Sequence, residues 1–264
     1  MPKTEPIMST SQYIEYEHPL NERLRFFIRL EFMFRQLKRH LNGDSLYDSH
    51  VAVSYLLEIL NYINQQDVKK EALKELERIS AALSPLLKSP KIEKDTLTVI
   101  LAELNTFRGL FREIAGPIGK SLRDSEFIKV LMHRFAAPGG LSLFDPPVYS
   151  YWLRQPSEIR FRDLQEWFNV FENLNNAVSL ILRLIRESAT PRTMVAHNGV
   201  FQQNLDTKTP YQMIIVGLPL DSKYFAEISG GKHRVSIRFM DASTNPRPMQ
   251  TSNDVEFQLS CCVL

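Results

Sequence analysis

Apolar residues recur at steps of three and four through most of the first 190 positions and at steps of two beyond them. That change of period predicts a helical body followed by a small sheet. Tyr13-Ile14-Glu15-Tyr16-Glu17-His18 alternates in part and stops at Pro19, so a short strand should follow a frayed start over 1–12. From Leu20 onward, Leu24, Phe27, Ile28, Phe34, Leu37 and Leu41 form one helical face, with Arg25, Arg29, Arg35 and Arg39 on its flanks and Asn42-Gly43 as its stop. A second helix should run from a cap at Asp48 or Ser49 to about Gln65. A third should start at Asp67 and be ended or kinked by Pro85 and Pro90. Further helical stretches are expected over 95–114, over 126–136 with Asp124 as cap, and over 157–188 as one or two core helices.

Ala137-Pro138-Gly139-Gly140 interrupts this pattern, and the segments 141–144 and 148–153 around Asp145-Pro146-Pro147 have residue types that suit short strands or an extended excursion. After Thr190-Pro191 the segments 193–196, 199–203, 211–218, 233–240 and 255–262 read as strands between Asn, Gly, Pro and Asp clusters, with a polar loop over 241–254. The expected fold class is therefore α+β, an N-terminal all-helical domain plus a C-terminal small antiparallel β-rich domain. Residues 1–18 should supply the frayed start and a strand that joins the β domain. Residues 19–137 and 154–190 should be helical, and 138–153 and 191–264 β-rich.

Composition narrows the function classes. Lys+Arg 32 against Asp+Glu 30 leaves a net charge of +2, too balanced for a protein that coats nucleic acid through a general field. Only ten glycines in 264 residues disfavour glycine-rich cofactor loops. No apolar run is long enough for a spanning helix, the first residues lack a signal-peptide core, and the two adjacent cysteines cannot frame a secreted fold. A soluble cytoplasmic protein fits these features.

Ser229-Gly230-Gly231-Lys232 lacks the first glycine and the Ser/Thr of a phosphate loop, because Ala226 and His233 stand there, so a hairpin turn is the better reading. Neither G-x-S-x-G nor H-E-x-x-H occurs, and none of the six histidines has a second His or Cys at ligand spacing. Cys261-Cys262-Val263-Leu264 matches a prenylation signal in form, while Val255, Phe257, Leu259 and Cys261 alternate as one apolar strand face would. The segment from Lys232 to Met240 carries most information. As a strand it puts His233, Val235, Ile237 and Phe239 on one face and Lys232, Arg234, Ser236 and Arg238 on the other, with no acidic residue between Gly230 and Met240. Such a face is either a solvated outer surface or a docking strip for an acidic or C-terminal peptide, and guanidinium forks favour the second use.

Seven pieces in order resemble the ZapD family of FtsZ-associated bacterial division proteins, over about 16–262. They are Glu17-His18-Pro19-Leu20-Asn21-Glu22-Arg23 leading to Arg29-Leu30-Glu31-Phe32, Lys74-Glu75-Leu76-Glu77-Arg78, Pro138-Gly139-Gly140 with Phe144-Asp145 and Pro147, and Trp152-Leu153. Beyond these come Leu184-Ile185-Arg186 with Ser188-Ala189, Ser229-Gly230 through Phe239-Met240, and Glu256-Phe257 through Cys261-Cys262. Gly231, His233, Pro146 and a longer N-terminus depart from the family's pattern. The turn Asn64-Gln65-Gln66-Asp67 lacks a basic residue that the family can carry there. The resemblance implies a non-enzymatic cytoplasmic homodimer at the mid-cell division ring, without cofactor, metal, nucleic acid or membrane, that binds the C-terminal tail of FtsZ and bundles its filaments. It implies Arg234, Arg238 and Lys232 as the tail-binding residues, and the broad apolar helix faces point to the helical part as dimer contact. Two other classes compete with it: a nucleic-acid binder using the basic helix and strand faces, and an enzyme assembled from residues distant in sequence.

Overall fold

The computed structural model describes residues 12–89, 93–137, 141–142, 146–231, 233–243 and 247–264. They form two compact units, one from Phe26 to Leu182 and the other from residues up to Arg25 together with Arg183–Leu264. The division falls inside two helices.

The first unit is helical. Helices α1 (Glu22–Leu41), α2 (Leu46–Ile63), α3 (Val68–Leu83), α4 (Lys94–Glu113), α5 (Lys120–Asp124), α6 (Glu126–Phe135), α7 (Pro147–Leu153), α8 (Ser157–Asn169) and α9 (Glu172–Glu187) follow in order, with a 3-10 turn over Ser84–Lys88 where Pro85 ends α3. Helix α2 is the centre: Ala52, Val53, Leu56, Leu57, Ile59 and Leu60 are all fully buried. Its start corrects the cap expected at Asp48 or Ser49. The cap is Ser45, whose hydroxyl accepts from the Asp48 N–H at 3.0 Å and donates to the Asp48 carboxylate at 2.6 Å. Asp67 does cap α3, accepting from the Lys70 N–H. Asp124 instead ends α5, and Ser125 holds the cap position of α6.

The expected strand over 148–153 is helix α7, and it lies in the helical unit rather than the β-rich one. Residues 138–140 and 143–145 lie outside the described residues. The reason for the helix is positional. Pro147 occupies the first turn, where its missing N–H costs nothing. Tyr149, Trp152 and Leu153 then fall at i, i+3 and i+4 and are buried, while Val148 and Tyr151 face solvent. Tyr149 receives a second anchor from His50 at 2.9 Å, and the Trp152 indole donates to Asp163 at 2.9 Å. Burial pushes the Tyr149 phenol above its ordinary range and lowers the His50 imidazole.

Arg160 is the buried charge of this unit, 7% exposed. Its guanidinium donates to Ser49 Oγ (2.9 Å), Asp44 O (2.7 Å), Gln155 O (2.5 Å) and Leu153 O (3.4 Å), tying the start of α2 to the end of α7. A planar fork satisfies these diverging acceptors, which a point charge does not.

Among the described residues, the second unit holds two four-stranded antiparallel sheets where one was expected. One runs β1 (Tyr13–Pro19), β4 (Met213–Pro219), β8 (Val255–Cys262), β2 (Arg192–Ala196), so the N-terminal strand joins the C-terminal domain as its pattern predicts. The other runs β3 (Val200–Asn204), β6 (Arg234–Asp241), β5 (Tyr224–Gly230), with β7 (Met249–Gln250) pairing β6. Facing residues Ile214, Val216 and Leu218 of β4, Phe257 and Leu259 of β8 and Val235, Ile237 and Phe239 of β6 make its core. β2 and β3 are joined by Asn198 (φ 51°) and Gly199 (φ 71°). Both residues are left-handed, the geometry of a tight Asn-Gly hairpin. A Cβ on Gly199 would collide with the Thr251 carbonyl.

Replacing Arg160 with Ala should lower unfolding free energy by about 2–4 kcal/mol, because four acceptors lose a charged donor. Arg160→Lys should recover less than half. Urea denaturation of both variants measures this, and a loss under ~1 kcal/mol for Arg160→Ala would show the network to be dispensable.

Candidate partner-binding face

The candidate site starts from β6. Val235, Ile237 and Phe239 are fully buried, and Arg234 and Arg238, at alternate positions, are exposed. The structure therefore places these two arginines on one face, as the alternation predicts. Lys232 lies outside the described residues. His233, expected on the apolar face, is exposed because β6 begins only at Arg234 and His233 belongs to the turn. Gly230 and Gly231 do form the expected hairpin, with Gly230 paired to Val235 and the Gly231 N–H donating to Arg234 O at 3.0 Å.

The register supplies the rest of the face. Asn204, Gln202 and Val200 of β3 lie opposite Arg234, Ser236 and Arg238, and Ser229, Glu227 and Phe225 of β5 lie opposite Ser236, Arg238 and Met240. Directly opposed residues share a face. The outer surface is thus cationic and polar at Arg234 and Arg238 and passes into half-buried Phe225 and Met240 at one end.

Both arginines have partners that sequence neighbours did not disclose. Arg238 Nη2 meets Glu227 Oε2 at 3.2 Å with side chains 59% and 45% exposed, and Arg234 Nη2 donates to Gln202 Oε1. The Arg238 pair is solvent-screened and worth only ~0.2–1 kcal/mol, so it orients the guanidinium without committing it. Strand β5 went unread in the sequence, and Glu227 with it. Its signal was present: Tyr224, Ala226 and Ile228 alternate with Phe225, Glu227 and Ser229 up to a Gly-Gly turn.

Two of the arginines read on the flanks of α1 are paired within the helix, while Arg29 and Arg39 are exposed. Arg25 pairs with Glu22 at 3.1 Å and Arg35 with Glu31 at 3.3 Å on their own helix. Among the described residues there is no cluster of three or more His, Cys, Asp or Glu placed to hold a metal, and no helix long and apolar enough to cross a membrane.

The cysteine pair completes β8, with Cys262 fully buried and Cys261 half-buried, both as free thiols. Burial pushes the Cys262 thiol up to about 12 and raises that of Cys261.

A family model described as "ZapD: Cell division protein" matches residues 28–238. The chain is 39% identical over 251 residues to a protein of Methylococcus capsulatus named "Cell division protein ZapD", covering 95% of this chain and 98% of that one. It is 38% identical over 251 residues to the namesake in Coxiella burnetii (94% and 97% covered) and 34% identical over 257 residues to that of Aromatoleum aromaticum (97% and 100% covered).

The Cys262 thiol is held protonated in the fold and ionises near 9.0 when free. The stability that this contributes should be intact below about pH 9 and be lost as pH rises through 9 to 12. Thermal melting from pH 8 to 11 should fall more steeply for the native chain than for Cys262→Ala, and equal slopes would remove this thiol from the alkaline response.

Proposed function

The chain belongs to the ZapD family of cell division proteins, and from that premise we propose that it binds the C-terminal tail of FtsZ on the outer face of β6 and crosslinks FtsZ filaments as a homodimer. It is a binding protein and not an enzyme on this reading, with no cofactor or metal, and it works in the cytoplasm at the mid-cell ring. The observation that carries the reading is the pair of exposed arginines, Arg234 and Arg238, held at fixed spacing on a strand whose other face is fully buried. Four residues along a strand span roughly 13 Å, enough to meet two separate carboxylates of an extended peptide. Phe225 and Met240, beside Arg238, offer an apolar contact to the same peptide.

The dimer contact is assigned to the helical unit. The motive is the breadth of its apolar helix faces, which exceed what a single small bundle must bury. One tail site per subunit then makes the dimer bivalent, and filaments that present tails in rows raise the effective concentration for the second contact.

Removing both charges tests the site. The double variant Arg234→Glu/Arg238→Glu should weaken binding of a tail peptide at least about tenfold, ~1.4 kcal/mol, while remaining folded, because the substituted face is already polar. Unchanged affinity in the folded variant would end this assignment. Cosedimentation with FtsZ lacking its tail should show no pelleting of this chain, and raised salt should weaken both activities.

Glu227 competes for Arg238 with any incoming carboxylate. Glu227→Gln should therefore tighten tail binding by about two- to fivefold, the equivalent of one exposed ion pair. Calorimetric titration of the peptide gives the value, and weaker binding would mean that Glu227 positions Arg238 more than it occupies it.

A further inference from the structure

We propose that the cavity between the start of α3 and the loop that enters α5 binds a small organic diphosphate, its anionic groups on Lys69, Lys70 and Arg123 and its body on an aliphatic wall. The cavity belongs wholly to the helical unit, so the inference is independent of the arginine face of β6.

The cavity follows from how the chain turns. α2 ends at Ile63, and the turn 64–67 leads into α3, which Asp67 caps by accepting from the Lys70 N–H at 3.0 Å. A second wall comes from residues 114–119, which leave α4 and enter α5 through Gly116 (φ 79°) and Gly119 (φ 77°), both left-handed. The space enclosed is about 770 Å³, the size of a site for a small organic molecule. Ile63, Val68, Leu73 and Ile118 give it an aliphatic lining.

Its charged groups are unequally committed. Both carboxylates of the lining are in use, Asp67 as the cap of α3 and Glu77 in an ion pair with Arg112 at 2.7 Å. Lys74 pairs with Glu71 at 2.8 Å. Lys69, Lys70 and Arg123 have no carboxylate within ion-pair distance among the described residues. Two of these cations hold the two ends of the loop instead. The Lys69 ammonium donates to Ile114 O at 2.6 Å, and the Arg123 guanidinium donates to Ile118 O and, at 3.3 Å, to Leu60 O. An ammonium has three N–H groups and a guanidinium five, so each keeps donors in reserve.

Carbonyl dipoles orient these cations without neutralising them. Arg123 is half-buried, and burial lowers its pKa despite the adjacent Asp124. A desolvated cation without a counter-ion is unfavourable, and an anion drawn from solvent relieves it. Three such cations suit a ligand with at least two negative charges, and lysine ammonium groups meet phosphate as point charges. A bare anion would leave most of the volume and the aliphatic wall wet, so the ligand also carries a body. No aromatic ring lines the cavity among the described residues, which leaves aliphatic contact to hold that body and the side-chain amides of Asn64 and Gln66 to meet its hydroxyls.

Calorimetric titration of the full chain with ADP, inorganic pyrophosphate and a tetraglutamate peptide tests the site. ADP should saturate one site per chain and bind at least tenfold tighter than pyrophosphate. Lys70→Glu should weaken ADP at least tenfold, and it should stay folded because Lys70 is exposed. In the native chain, saturating ADP should shift the amide resonances of Lys69, Lys70, Gly116 and Ile118, a reading that needs no variant. Absence of saturation by about 1 mM ADP, shifts confined to other residues, or unchanged binding in a folded Lys70→Glu would overturn the proposal. Pyrophosphate as tight as ADP would overturn it by removing the aliphatic wall from the site. Tighter binding of tetraglutamate would overturn it in favour of an acidic peptide.

Discussion

The candidate face depends on the period-two alternation of β6. Val235, Ile237 and Phe239 are fully buried, and Phe239 packs on Phe257 of the other sheet with ring centroids 4.9 Å apart. A slip of one residue would expose these three side chains and drive Arg234 and Arg238 into the core. Burying an unpaired guanidinium costs several kcal/mol, so the core itself enforces the register that aims both arginines outward. The site is thus built on packing in the interior of a sandwich and not on a loop conformation. Hydrogen bonds to β3 on one side and β5 on the other hold the strand.

Much of this was legible from local pattern. The alternation of β6 is a property of nine consecutive residues, and the N-terminal strand and the long amphipathic helices are equally local. Errors arose where two local signals disagreed. In 148–153, aromatic and β-branched residues argued for a strand, while Pro147 and the i, i+3, i+4 spacing of Tyr149, Trp152 and Leu153 argued for a helix. The second prevailed because it buries all three side chains on one side. The cap of α2 was displaced for a related reason, since Asp48 serves Ser45 instead of heading the helix itself.

What no local pattern could disclose was pairing across the sheet. Arg238 was read as locally unpaired because no acid stands between Gly230 and Met240, yet Glu227, eleven residues earlier than Arg238, is brought opposite it by the β5–β6 hairpin. Gln202 reaches Arg234 across thirty-two residues. Charge counted along a strand therefore overstates the free charge of a sheet face, and only the register corrects it.

That correction bears on the kind of partner the face suits. A guanidinium with no counter-ion would attract any anion, including nucleic acid, through an unscreened local field. With Glu227 beside Arg238 and Gln202 on Arg234, the face is partly neutralised, and a ligand must displace or share those contacts. An isolated phosphate gains little from such an exchange. A chain that offers several carboxylates at strand spacing gains at each position. Electrostatic complementarity of this exposed sort contributes more to selection and association rate than to affinity. If the proposed bivalent crosslinking holds, a weak and selective contact suits it, because holding strength then resides in the number of contacts and not in any one of them.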